Sequence, residues 1–120
     1  MQNLDFECAA LGRELAREAD EKLLTDALGV LEEQGVYAFF LYLKAREKNQ
    51  DTIYKKCWDF LKKTPHGQPL LSQSTNNNNV FDELKSLANQ LDDLLFARDL
   101  LRQTLIYARY HVKAQSEAGK

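Results

Sequence analysis

The only prolines stand at positions 65 and 69, and on either side of them apolar residues recur three and four apart, never in the alternation that a half-buried strand requires. A proline removes a backbone donor and clashes with the preceding turn. Keeping both prolines together therefore leaves long stretches free to be helical. The expected fold is all-α, a compact bundle of about five to six helices. Its 120 residues suit a single domain, 1–120, above the size at which a disulfide or metal becomes necessary to hold a core. With 44% hydrophobic and 28% charged residues, the chain has apolar material to bury and charge to cover its surface.

Capping chemistry divides the chain. Asn3 can cap a first helix whose apolar positions Leu4, Ala9, Leu11, Leu15 and Ala16 run toward residue 19. A second starts at Asp20 or Thr25, carries Leu24, Ala27, Leu28 and Leu31, and ends at Gly35, since glycine enters the left-handed C-cap conformation without a Cβ clash. The third, 36 to about 48, is apolar on all sides. Such a helix is central in the core or covered by another subunit. One helix of this kind is hard to enclose in a small chain, which makes Phe39, Phe40 and Tyr42 the candidate partner-binding residues.

The fourth helix, "TIYKKCWDFLKK", is capped by Asp51 or Thr52 and has two distinct faces. Ile53, Tyr54, Cys57, Trp58, Phe60 and Leu61 form one, and Lys55, Lys56, Asp59, Lys62 and Lys63 the other. The stretch "TPHGQPLLSQSTNNNN", 64–79, has the composition of a long mobile loop and no charge. An unbroken helix over 80–114 would measure about 50 Å at 1.5 Å per residue, too long for so small a domain. A break is expected near "NQLDD", giving helices at about 80–90 and 92–114, with 115–120 a frayed tail.

Charge is segregated. The formal total of −2 conceals nine acids against three bases in residues 1–34, and seven bases against three acids in residues 44–63. On the last helix, within "RDLLRQTLIYARYHVKA", Arg98, Arg102, Arg109 and Lys113 project at about 0°, 40°, 20° and 60°. That sector spans about 22 Å of axis. The candidate nucleic-acid-binding residues are accordingly Lys44, Lys48, Lys55, Lys56, Lys63, Arg98, Arg102, Arg109 and Lys113. Arginine suits phosphate because its planar guanidinium forks two hydrogen bonds to one anion. Bases late in a helix also complement the macrodipole, so a solvated ridge and a polyanion-binding stripe are both compatible with the pattern.

Catalytic signatures are missing. The sequence has no glycine-rich phosphate loop, no pair of Glu-x-x-His motifs and no nucleophile elbow. Cys8 and Cys57, reading as reduced and partly buried thiols, do not approach His66 or His111 at a zinc-ligand spacing. No enzyme, metal or cofactor is expected. The longest nearly apolar run, "GVYAFFLYL", is far too short to span a bilayer, and a cytoplasmic protein without membrane contact is the expectation.

Two stretches resemble the small helical subunit of type III-B CRISPR effector (Cmr) complexes. One is "LGVLEEQGVYAFFLYLKAREKNQDTIYKKCWDFL", 28–61, with a helix ending in a polar-Gly-apolar corner, an apolar helix with a basic exit, and a Tyr-containing helix ending in Trp or Leu. The other is "ARDLLRQTLIYARYHVKA", 97–114, similar to the family's terminal helix in its Arg98–Asp99 pair, apolar Leu101 and Ile106, then Arg109 and Tyr110. The acidic overall balance and the asparagine run depart from the family pattern. The resemblance implies a non-catalytic subunit of a ribonucleoprotein, stacked in several copies beside the backbone and large subunits. Its bases would contact guide and target RNA through phosphates without reading sequence. Its acidic N-terminal segment would face a basic surface on a neighbouring copy or the large subunit.

Two other readings compete with this one. A stand-alone helical adaptor or regulator would dock a protein partner through the apolar helix at 36–43. A DNA-binding helix-turn-helix is weaker, because the helix after the Gly35 corner is apolar where base readout needs polar side chains.

Overall fold

A computed structural model describes residues 3–46, 52–65, 69–76 and 78–118. Six helices follow in order: α1 (Leu4–Glu18), α2 (Glu21–Gln34), α3 (Val36–Arg46), α4 (Thr52–Lys63), α5 (Val80–Ala88) and α6 (Leu91–Ala118). No strand occurs among the described residues. The all-α bundle agrees with the helical spacing of the apolar residues.

Local chemistry sets most of the boundaries. Asn3 Oδ1 accepts from the Phe6 backbone N–H at 3.1 Å, and Asp20 Oδ1 from that of Leu23 at 2.8 Å. Each satisfies one of the orphan donors at a helix start. Gly35 closes α2 with φ of 99° while its N–H reaches the Leu31 carbonyl at 3.1 Å. A side chain at that φ would be strained, so the corner into α3 depends on glycine. The break expected near "NQLDD" falls at residues 89–90: Asn89 caps α5, and the Gln90 carbonyl accepts from Leu94 to begin α6. Expected caps at Asp51, and the helix end near Lys48, lie outside the described residues.

Two expectations need correction. α6 runs on to Ala118 instead of fraying from residue 115. Its 28 residues measure about 42 Å, close to the longest extent of the molecule, 46 Å, so the last helix is the spine on which the others pack. The uncharged stretch after α4 is irregular, as its composition required, but its described residues fold back onto the bundle. Leu71 is buried and its N–H donates to the Leu61 carbonyl at 3.1 Å, and Gln73 Nε2 reaches the Lys62 carbonyl at 2.8 Å. These bonds satisfy carbonyls that the end of α4 leaves without helical partners.

The core is built around α3. Phe39 and Phe40 meet edge to face at 5.2 Å, and Phe40 meets Tyr54 of α4 at 6.2 Å. Tyr54 in turn stacks on Phe81 of α5 at 6.1 Å. These are the separations at which ring quadrupoles favour the contact. The apolar girdle of α3 is thus explained by its packing against α2, α4, α5 and α6.

α1 and α6 approach closely at Gly12 of α1. A Cβ built there would lie 2.8 Å from the Thr104 carbonyl oxygen and 2.9 Å from the Ala108 nitrogen, both backbone atoms of α6. Cys8, one turn earlier, donates its thiol hydrogen to the Leu100 carbonyl at 3.4 Å. Small residues at the crossing let α1 lie directly on the spine helix.

Candidate functional site

The four bases of the α6 stripe do share one side of the helix, and that side faces α2. Arg102 Nε donates to Glu32 Oε1 at 2.9 Å, and Lys113 Nζ lies 3.7 Å from Glu21 Oε1. Glu21 and Glu32 are eleven residues apart, as are Arg102 and Lys113, and the order is reversed. Eleven residues make three helical turns, about 16 Å. Two antiparallel helices are therefore tied at two matching levels. Arg98 and Arg109, also eleven apart, are half-buried and have no ion-pair partner among the described residues, and the Arg109 Nε is buried without a hydrogen bond.

The lysines of α4 behave similarly. Lys63 pairs with Asp59 one turn back at 2.8 Å, and Lys56 approaches Glu14 of α1 at 3.9 Å. Lys55 is exposed without an ion-pair partner among the described residues. Lys44, at the exit of α3, holds its ammonium 5.1 Å from the Tyr54 ring centroid, a cation–π arrangement. Lys48 lies outside the described residues. α1 packs on α6 and also on α4, while α4 and α6 share at most marginal contact. The lysine face and the arginine stripe are consequently separated by α1 and do not form one continuous surface.

Part of the acidic N-terminal segment is engaged within the chain itself. Glu14, Glu21 and Glu32 are turned on the chain's own bases. Exposed pairs of this kind contribute about 0–1 kcal/mol each, so they set helix register and local potential more than stability.

The partner-binding expectation also changes. Phe39 and Phe40 are fully buried at 0% exposure, because α3 is covered by α2, α4 and α5. Tyr42 is half-buried, with the Arg46 guanidinium 5.8 Å from its ring. The apolar side chains that α3 exposes are Tyr37 and Leu41.

A groove missed in the sequence lies between α1 and the far half of α6. Phe6, Arg13, Arg17, Glu14 and His111 line it over a floor of Ala9 and Ala10, around a volume of about 580 Å³. Phe6 is 70% exposed. Arg13 and Arg17 are exposed and have no ion-pair partner among the described residues. Phe6, Arg13 and Arg17 stand at i, i+7 and i+11, within about 40° on the helix. That spacing was legible, but the acidic balance of residues 1–34 concealed it.

Cys8 and Cys57 are free and buried. Burial pushes the Cys8 thiol above its ordinary range, against a smaller lowering by the Thr104 hydroxyl. Among the described residues no group of three or more His, Cys, Asp or Glu is placed to hold a metal ion. Nor is any of their helices long and apolar enough to cross a membrane. No family model matches the chain, and no curated protein or solved structure is significantly similar to it.

Proposed function

We propose that this chain is a non-catalytic helical subunit of a type III-B CRISPR effector ribonucleoprotein, contacting neighbouring subunits and the RNA backbone without reading sequence. One observation carries the reading. The stretches that resemble the Cmr small subunit, 28–61 and 97–114, form the second half of α2, α3, α4 up to Leu61 and most of α6, helices that pack around one core with cations on their outer faces. The Gly35 corner, the apolar α3 and the basic exit at Lys44 and Arg46 occur in the order the resemblance requires.

Phosphate contact on these helices falls to bases without a carboxylate partner, Lys55 on α4 and Arg98 on α6. The clamped bases Arg102 and Lys113 add less positive potential, since Glu32 and Glu21 lie within 4 Å of them. Phe39 and Phe40 fill the core, so protein contact through α3 is assigned to Tyr37 and Leu41.

Co-purification from the native host tests the proposal. The protein is expected to elute with RNA and with larger ribonucleoprotein subunits. Elution free of both overturns it. Within the assembled complex, reversing Lys55 and Arg98 to Glu should lower the salt slope of RNA binding by nearly one unit per lost phosphate contact.

A further inference from the structure

We propose that the groove between α1 and the far half of α6 is a binding site for single-stranded polynucleotide, with a base stacked on Phe6 and phosphates held by Arg13 and Arg17. The inference takes RNA as the natural strand from the assembly reading, but its geometry is independent of the α6 stripe and, within the two resembling stretches, uses only Lys56 and His111.

Three features converge on a polyanion with flat bases. Arg13 and Arg17 stand one helical turn apart on the same face, and like charges at that spacing repel. Lys56, Arg102 and Lys113 meet carboxylates, whereas these two arginines, a turn apart on one face, have no ion-pair partner among the described residues. Successive phosphates seated against them relieve the repulsion and engage both guanidinium forks.

Phe6 shares that face at 70% exposure, about 10 Å along the axis from Arg13. A ring held in water beside two cations is the combination that binds single strands, because every base offers a π-face and the backbone follows the positive groove. His111 of α6 closes the opposite wall and supplies a further donor. Glu14 also lines the groove, but its carboxylate is drawn toward Lys56 of α4 at 3.9 Å. An acidic peptide would satisfy the arginines but would leave the ring without a flat partner.

The test uses the full chain and a fluorescein-labelled oligouridine twelve-mer, with anisotropy measured across a salt series. Wild-type protein should bind with a salt-dependent affinity. Arg13→Gln with Arg17→Gln should lower the slope by about 1.4, from about 0.7 per phosphate on a single strand. Phe6→Leu should weaken binding about 5- to 150-fold with the slope unchanged. Because Phe6, Arg13 and Arg17 are exposed, unchanged thermal melts separate these losses from misfolding. Binding without salt dependence, either variant at wild-type affinity, or displacement of the probe by a poly-glutamate peptide as effective as oligouridine overturns the proposal. A wild-type chain that binds through the groove yet never joins a ribonucleoprotein overturns the assembly reading alone. One that joins it, with both variants binding RNA normally, overturns the groove alone.

Discussion

Arg102 of α6 donates its Nε hydrogen to Glu32 of α2 at 2.9 Å, across seventy positions of sequence, and Lys113 repeats the contact with Glu21 three turns away. The stripe thereby joins two antiparallel helices through charge. Whatever polyanion approaches that side meets two carboxylates as well as four cations, and the local field is correspondingly reduced.

Removing those carboxylates should expose the difference. Glu21→Gln with Glu32→Gln is expected to leave the denaturant midpoint nearly unchanged, since exposed pairs contribute about 0–1 kcal/mol each. The same variant should bind oligouridine more tightly at low salt than wild type. Equal affinity at every salt concentration would show that the stripe faces away from RNA.

Gly12→Ala should destabilise the fold. The added Cβ meets α6 backbone at 2.8–2.9 Å, atoms that cannot rotate away, and overpacking of this kind costs about 1–3 kcal/mol. Alanine's better helix propensity offsets only about 1 kcal/mol of that. Urea unfolding gives the balance, and a midpoint at or above wild type would mean that α1 and α6 separate readily.

Buried and exposed apolar side chains of α3 should respond differently. Phe40→Ala, at 0% exposure, is expected to lose about 3–5 kcal/mol, enough to unfold many domains of this size. Leu41→Ser, one residue on and exposed, should stay within about 0.5 kcal/mol of wild type while weakening any protein contact made through α3. Chemical denaturation of the pair, with size-exclusion of the second, checks both.

Alkaline pH should weaken the fold. Burial raises the Cys8 thiol, and the Asp5 carboxylate, accepting the Tyr107 hydroxyl at 2.9 Å, raises that phenol. Both groups bind protons more tightly folded than unfolded. Their contribution is present below the ordinary ranges, about 8.5 for Cys and about 10 for Tyr, and is lost as pH rises through the higher folded values. Thermal melts from pH 7 to 11 should show the decline, and Tyr107→Phe should flatten its upper part.

Leu71→Ala should loosen the segment after α4. Its side chain is buried against the core, and its loss is expected to destabilise by about 2–5 kcal/mol and to speed limited proteolysis near residue 71. Unchanged protease resistance would show that the hydrogen bonds to Leu61 and Lys62 suffice to hold the segment.

Helical periodicity and cap chemistry were enough, read from the residues alone, to place α1 through α6 and the corner at Gly35, because these are interactions within a few residues of the chain. Asn3, Asp20 and Gly35 each act on neighbours three to five positions away. The same reading could tell that Phe39 and Phe40 were apolar and that Arg102 and Lys113 were aligned. It could not tell what stood opposite them. Phe40 went into the core because α4 and α5 bring Tyr54 and Phe81 to α3, and the stripe was clamped because α2 returns antiparallel along α6. Phe6, Arg13 and Arg17 lay in a segment whose summed charge was negative. Only the packing of α1, with Glu14 toward α4 and the arginines toward His111, separated the signs. Composition and spacing act locally, whereas burial and electrostatic partnership are set by residues that only the tertiary fold brings within a few ångströms.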